Sequence, residues 1–176
     1  RDKTLVVVGD GGLRGPSQDY VARNNVASVR FFGFQNRKAI PKFYAISDIL
    51  VLPSERETWG IVVNEALSFG LPVIVSDRVG AGPALVRHGY NGFIFPRHDT
   101  VALANHIKEL SELPQHERSI MGSRSLNILK DWTQRDLAEP LLQYLDSLGH
   151  SGTSHFEKKP SVLLFTRYYA PGYRAG

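Results

Sequence analysis

Short apolar segments rich in β-branched residues recur along the chain, and stretches with helical spacing separate them. Runs of this length that stop at glycine, proline or a polar residue are typical of strands buried on both faces of a sheet. A strict alternation of such strands with helices implies right-handed crossovers between parallel strands. It therefore predicts an α/β fold, a Rossmann-like doubly wound parallel sheet with helices on both faces. The predicted strands are KTLVVVG (3–9), SVRFFGF (28–34), DILVLPS (48–54), LPVIVSD (71–77) and NGFIFP (91–96).

The helical and linking segments divide the chain into three parts. We expect a first domain at 1–148, a polar linker at 149–160 and an apolar strand followed by a loop at 161–176. In the helix TVALANHIKELSEL we expect Thr100 to be the N-cap residue. The predicted helices cover about 14–25, 37–46, 59–69, 100–113, 115–130 and 134–148.

The composition excludes several classes of chemistry. The 176 residues include no cysteine, which rules out a thiolate nucleophile, a disulfide and a cysteine zinc site. No apolar run reaches the roughly 20 residues that a membrane-spanning helix needs. The net charge of +4 suits a phosphate-bearing ligand, but the basic residues are scattered without interleaved aromatic side chains. We therefore expect no nucleic-acid partner.

The segment PSERETWG, which follows the third predicted strand, is the strongest candidate for a binding site. Ligands of doubly wound sheets bind outside the carboxyl ends of the strands. A helix that begins near Gly60 would present unpaired N–H groups and a partial positive charge there. The N–H groups of Gly60, Ile61 and Val62 are thus candidates for holding a pyrophosphate. The GDGG turn at 9–12 is a weaker candidate, because a tight turn alone explains its glycines.

Two glutamates flank this helix start. Eight residues of helix would put Glu57 and Glu65 about 12 Å apart, whereas the carboxylate pairs of glycosidases are about 5 to 9.5 Å apart. Two separate hydrogen-bonding roles fit better, with a hexose at Glu57 and a ribose at Glu65, as a nucleotide sugar would require. The alternative without a ligand is that Glu57 complements the helix dipole and that Glu65 is a solvated helix residue.

The segment from 31 to 96 resembles the C-terminal, donor-binding domain of the retaining glycosyltransferases of family 4, the glycosyl transferases group 1, which have the two-domain GT-B fold. The E-x7-E spacing of Glu57 and Glu65, followed by GLPVIVSD, carries the resemblance, which extends from LVVVGDGG to about residue 148. It implies that Glu57 is the catalytic residue. The donor-binding residues that the resemblance and the helix-end argument predict are Gly11, Gly33, Phe34, Gln35, Glu57, Thr58, Trp59, Gly60, Ile61, Val62 and Glu65.

The resemblance also implies a reaction. The full enzyme would transfer a hexose from a UDP-sugar or GDP-sugar to a saccharide or lipid-linked acceptor, in polysaccharide or glycoconjugate biosynthesis. It would require no metal and no further cofactor, and the chain by itself would bind without catalysing. The same fold class would also suit a GT-B sugar-nucleotide epimerase or a non-enzymatic flavodoxin-like regulatory module.

The basic residues near the end of the chain bear on its location. We expect a cytoplasmic protein. Lys158, Lys159, Arg167 and Arg174 either contact the inner face of the membrane or belong to a solvated linker.

The sequence departs from the family's pattern at both ends. Residues 1–9 already resemble the family's second strand, so its first strand and helix, with an arginine and a lysine for the diphosphate, are expected to be missing. That would leave two open strand edges, and we expect 161–166 or another segment to fill the gap. The residues after 160 resemble the start of an N-terminal domain of the same family.

Three further residues lie near the predicted donor site. Gly80 and Gly82 favour a loop over the donor. Trp59 either forms one side of the sugar pocket or packs against the protein core.

Overall fold

A computed structural model describes residues 3–132, so the predictions made for 134–148, 149–160 and 161–176 lie outside the described residues. Strands and helices alternate as the sequence predicts, which confirms the α/β class. The described residues belong to two compact units, a smaller one with 4–34 and a larger one with 3 and 35–132. The elements are β1 (Leu5–Val8), α1 (Arg14–Arg23), β2 (Val29–Gly33), α2 (Ile40–Ala45), β3 (Leu50–Leu52), α3 (Ile61–Ser68), β4 (Val73–Ser76), α4 (Gly82–Leu85), β5 (Gly92–Phe95), α5 (Thr100–Glu112) and α6 (Gln115–Asp131).

The smaller unit is a single strand-helix-strand crossover. β1 pairs with β2 in parallel, with Leu5 opposite Val29, and the register shifts between Val7 and Val8. The prediction that this first strand is buried on both faces is wrong, since Leu5 and Val8 are exposed. The physical reason is that α1 contributes no buried residue and so provides no apolar cover for the strand.

The larger unit contains a parallel sheet in the order β3, β4, β5 with helices on both faces. All four residues of β4 are buried. Val73 and Val75 join a core cluster that includes Leu67 of α3 and Ile128 of α6. Ile74, between them, joins a second cluster with Leu110 of α5. Because successive side chains of a strand point to opposite faces, this division shows that helices cover the central strand from both sides.

In the part of the chain that the structure describes, β1 pairs with β2, and β3 pairs with β4, so neither β1 nor β3 has a second ladder partner there. The two open edges expected beside a missing first strand stay a prediction. Unpaired strand edges present free N–H and C=O groups to further strands. Whether 161–166 covers them concerns residues outside the described range.

Two local predictions differ from the structure. The N-cap of α5 is Asp99, whose Oδ1 accepts a hydrogen bond of 2.8 Å from the N–H of Ala102. Thr100, the expected cap, is instead the first helical residue, because Asp99 has the non-helical backbone that a cap requires. The expected loop after β4 contains the short helix α4, with Pro83 in its first turn, where proline's missing N–H costs no hydrogen bond.

Asn91 is fully buried and ties the turn before β5 to its surroundings. Its Oδ1 accepts from the N–H of Arg87 at 2.8 Å, and its Nδ2 donates to the carbonyl of Leu85 at 3.0 Å. Each buried polar group left without a partner costs about 1–3 kcal/mol. We expect Asn91→Ala to lower the free energy of unfolding by about 3 kcal/mol in urea titrations. Asn105→Ala, at an exposed position of α5, should change it by less than about 0.5 kcal/mol, and equal effects would contradict the assignment.

Candidate functional site

The loop between β3 and α3 ends at Gly60, which is the N-cap of α3 and has a left-handed backbone, with φ 93° and ψ 65°. Residues with a side chain rarely adopt this conformation. A Cβ at this position would also lie 3.0 Å from Cγ1 of Val79 and 3.2 Å from Cδ2 of Leu52. Both the backbone geometry and the packing therefore require glycine where the helix begins.

The first amide groups of α3 lack protein acceptors, although Gly60 itself is buried whereas Ile61 is exposed. No described residue accepts a hydrogen bond from the N–H of Gly60, Ile61 or Val62, and no side chain caps the helix. The first turn has no acidic residue to offset the positive end of the helix dipole. The N-terminus of α3 thus has the free donors and the partial charge that suit an anion.

Backbone hydrogen bonds hold this loop against the segment that follows β4. The N–H of Glu57 donates to the carbonyl of Arg78 at 3.1 Å, and the N–H of Gly80 donates to the carbonyl of Glu57 at 3.0 Å. The N–H of Ala81 donates to the carbonyl of Trp59 at 2.8 Å. Gly80 is needed for this close approach, because a Cβ there would lie 2.0 Å from the carbonyl oxygen of Thr58.

Glu57 is half-buried and lines an open cleft of about 560 Å³. Its Oε1 accepts a hydrogen bond of 3.3 Å from the N–H of Trp59, which orients the carboxylate. The remaining lone pairs of the carboxylate are free to accept from ligand hydroxyls. The residues that line the cleft are Glu55, Arg56, Glu57, Thr58, Arg78 and Arg97.

Glu65 lies on α3, and a tyrosine holds its carboxylate. The hydroxyl of Tyr44 donates to Oε2 of Glu65 at 2.8 Å. Tyr44 is buried, and its ring packs against Phe69 with 5.5 Å between the ring centroids. The contact joins residues 21 positions apart, so no local pattern in the sequence indicates it, and Tyr44 was not predicted. The hydrogen bond from Tyr44 occupies Oε2 of Glu65, so the other carboxylate oxygen can accept hydrogen bonds from a ligand.

The side chains of Thr58 and Trp59 point to different surroundings. Thr58 is exposed and lines the cleft with Glu57. The Nε1 of Trp59 donates to Oδ1 of Asn64 at 2.8 Å, and its ring lies 4.9 Å from that of Trp132. The indole therefore packs against the core of the larger unit. A direct contact between Trp59 and a donor stays a prediction.

Three of the predicted site residues lie in the smaller unit. The N–H of Gly11 donates to Oδ1 of Asp10 at 2.9 Å, and Oδ2 of Asp10 forms an ion pair of 2.9 Å with Arg14. Gly33 has φ 67°, and a Cβ there would lie 2.9 Å from Nη1 of Arg14. Phe34 is 77% exposed. Arg14, which was not predicted, pairs with the aspartate that accepts from Gly11 and lies close to Gly33.

The remaining predicted residues, including Gln35, belong to the larger unit. That unit brings together Glu57, Thr58 and the amide groups at the start of α3. Between residues 3 and 132, no three histidine or acidic side chains gather as a metal site, and the absence of a required metal stays a prediction. No helix in the same range combines the length and the apolar surface needed to cross a bilayer.

Comparisons with known proteins relate the chain to sugar-transferring enzymes. The family model for glycosyl transferases group 1 matches residues 1–125. An uncharacterized glycosyltransferase of Methanocaldococcus jannaschii, MJ1607, is 37% identical over 101 residues, which cover 56% of this chain and 26% of that protein. N-acetyl-alpha-D-glucosaminyl L-malate synthase of Bacillus anthracis is 33% identical over 125 residues, which cover 70% of this chain and 32% of that protein. The chain thus spans about a quarter to a third of these curated relatives.

Solved structures show the same architecture. Anabaena HepE in complex with UDP matches with a TM-score of 0.67 and 27% identity, over 82% of this chain and 41% of that chain. Sucrose-phosphate synthase from Thermosynechococcus elongatus matches with a TM-score of 0.67 over 85% of this chain and 39% of that chain. At 23% identity the second match shows the fold alone. The structural neighbours have the GT-B fold, which confirms the fold that the sequence predicts.

Proposed function

Because the chain belongs to the glycosyl transferases group 1 family, we propose that it binds a nucleotide-diphosphate sugar for the retaining transfer of a hexose. The observation that carries this proposal is the set of free N–H groups at the start of α3, next to the carboxylate of Glu57 in an open cleft. The acceptor, either a saccharide or a lipid-linked molecule, binds outside this chain. The 176-residue chain binds the donor without catalysing transfer.

The N-terminus of α3 stabilises the negative charge of the donor's diphosphate. The N-terminus of α3 carries roughly half a positive charge. The N–H groups of Gly60, Ile61 and Val62 donate hydrogen bonds to the diphosphate of the donor. Negative charge grows on the diphosphate as the glycosidic bond breaks. Donors that are already oriented stabilise that charge without reorganising. This arrangement supplies the stabilisation that a metal ion would otherwise give, so we propose that none is required.

The two glutamates hold the two hydroxylated ends of the donor. Glu57 accepts from hydroxyls of the hexose, and Glu65, oriented by Tyr44, accepts from the ribose hydroxyls. The match with Anabaena HepE, whose structure contains UDP, supports a uridine nucleotide as the first candidate. A GDP-sugar is the second candidate. Synthesis of a polysaccharide or glycoconjugate at the cytoplasmic face of a membrane is the setting that such a donor and acceptor would fit.

NMR titration of the full chain with UDP and with GDP tests this proposal. We expect one of the two nucleotides to shift the backbone amide signals of Gly60, Ile61 and Val62 more than those of Asn105 and Glu109, two exposed residues of α5. Inorganic pyrophosphate should shift the same signals more weakly, because it lacks the ribose that Glu65 would hold. If neither nucleotide moves these signals in a folded chain, the proposed donor site is wrong.

Glu65→Gln should lower the affinity for the preferred nucleotide about 10- to 100-fold. The reason is that hydrogen bonds to a charged group contribute about 1.5–3 kcal/mol each. The affinity for pyrophosphate, which has no ribose, should stay unchanged. Tyr44→Phe, which frees one oxygen of Glu65, should cause a smaller loss.

Glu109→Gln, at an exposed position of α5, is the matched control for this substitution. Calorimetric titration gives each dissociation constant. A loss of pyrophosphate affinity equal to the loss of nucleotide affinity in Glu65→Gln would show that Glu65 acts on the fold and not on the ribose.

A further inference from the structure

Three arginines line the cleft beside Glu57, and each follows a different strand of the larger unit. Arg56 comes after β3, Arg78 comes shortly after the end of β4, and Arg97 comes shortly after the end of β5. The three strands are parallel and adjacent, so their carboxyl ends lie at one edge of the sheet. Residues that are far apart in the sequence therefore face the same cleft.

The guanidinium groups of Arg56 and Arg97 form no ion pair or hydrogen bond with any other residue that the structure describes. Arg78 differs, because its Nε lies 3.6 Å from Oδ1 of Asp77. The backbone N–H of Arg97 donates to the same Oδ1 at 3.0 Å, which fixes the start of its side chain. Within residues 3–132, nothing occupies the donors of the exposed guanidinium groups of Arg56 and Arg97, which a ligand can therefore use.

The cleft also contains acceptors. Glu57 has free lone pairs, and the carboxylate of Glu55 lies 3.7 Å from Nδ1 of His98. A simple inorganic anion would approach the arginines against the negative charge of these glutamates. A ligand that carries both hydroxyls and an anionic group would satisfy both kinds of residue, because carboxylates accept from hydroxyls and guanidinium forks bind carboxylate or phosphate.

The arginines line the cleft, whereas the amide groups at the helix end do not. Gly60, Ile61 and Val62 are not among the residues that line the cleft. The donor diphosphate is assigned to those amides. The guanidinium groups can therefore bind a second anionic group, at the sugar end of the ligand.

We propose that this cleft selects a saccharide with an anionic substituent, a carboxylate or a phosphate, which Arg56 and Arg97 bind while Glu57 holds the neighbouring hydroxyls. The inference rests on the proposed function, since it places the sugar end of the donor at Glu57. It adds the chemical class of that sugar. Arg78, which is paired with Asp77, contributes positive charge to the same cleft.

Titration of the full chain with four probes tests this selectivity: glucose, glucuronate, glucose 6-phosphate and inorganic pyrophosphate. We expect glucuronate or glucose 6-phosphate to bind at least tenfold tighter than glucose at physiological ionic strength. A preference for glucuronate assigns a carboxylate as the substituent, and a preference for glucose 6-phosphate assigns a phosphate. If glucose binds as tightly as both anionic sugars, the proposal is overturned.

The double variant Arg56→Gln/Arg97→Gln should lose the preference for the anionic sugar while its affinity for glucose stays the same. Arg87→Gln is the matched control, because Arg87 is exposed and lies outside the cleft, over the ring of Tyr90. A preference that survives the double substitution overturns the proposal. Pyrophosphate that binds as tightly as the anionic sugar and weakens in the double variant also overturns it, because the arginines would then serve the diphosphate.

UDP and GDP, titrated into the same proteins, separate this inference from the proposed function. Nucleotide binding without any preference for an anionic sugar contradicts only the selectivity of the cleft. Failure of both nucleotides to bind a chain with normal circular dichroism contradicts the donor site itself.

Discussion

Gly80→Ala is expected to destabilise the larger unit by about 3 kcal/mol and to abolish detectable nucleotide binding, as overpacking a well-ordered contact typically costs about 1–3 kcal/mol and sometimes more. A Cβ at residue 80 would lie 2.0 Å from the carbonyl oxygen of Thr58. The clashing atom belongs to the backbone, so no side-chain rotation relieves the overlap. The loop that carries Glu57 must move away from the segment after β4.

That movement would break the hydrogen bonds that position the site. The N–H of Gly80 would lose the carbonyl of Glu57, and the N–H of Ala81 would lose the carbonyl of Trp59. Because the same loop leads into Gly60 and the first amides of α3, the donor groups would lose their alignment as well. The functional loss should therefore exceed what the loss of stability alone would cause.

Gly82→Ala is the matched control, two residues along the same segment. A Cβ there would meet Cγ2 of Val75 at 3.5 Å, an ordinary van der Waals contact. Urea unfolding and nucleotide titration should give values within about 1 kcal/mol of the unaltered protein, as for a tolerated substitution. A Gly80→Ala protein that is as stable as the Gly82→Ala protein, and that binds nucleotide equally well, would refute the close approach as a requirement of the site.

Elements that depend on local pattern could be predicted from the sequence. LPVIVSD contains β4, whose four residues are all buried, and the helix predicted at 59–69 contains α3. β1 has the same kind of sequence, yet its two end residues are exposed. Apolar pattern predicts that a segment is a strand, whereas burial also depends on which helices cover it, and α1 contributes no buried residue.

The candidate site was predictable only in part, for the same reason. A turn before an apolar helix indicates free amides at Gly60, Ile61 and Val62, because strand, turn and helix are adjacent in the sequence. The contact of Tyr44 with Glu65 is tertiary and leaves no local signal. The arginines are scattered in the sequence, and only the parallel order of β3, β4 and β5 brings them to one edge.

If the proposed transfer reaction is correct, Glu57→Gln should lower its kcat by about 10²- to 10³-fold, which is typical for the loss of one preorganised group that acts in the transition state. Breaking the glycosidic bond develops positive charge on the sugar. A carboxylate that holds the sugar hydroxyls stabilises that charge, and a neutral amide does not. The amide oxygen of glutamine can still accept the hydrogen bond from the N–H of Trp59, so the loop should keep its geometry.

The affinity for UDP, which has no hexose, distinguishes this role from a structural one. If Glu57 acts on the sugar, the dissociation constant for UDP should stay within about twofold of the unaltered enzyme while kcat falls, because an interaction made in the transition state changes the rate and not the ground-state binding. Glu109→Gln should leave both values unchanged. If UDP affinity falls while kcat at saturating donor stays the same, Glu57 only complements the positive end of α3, and the assignment of the hexose to its carboxylate is wrong.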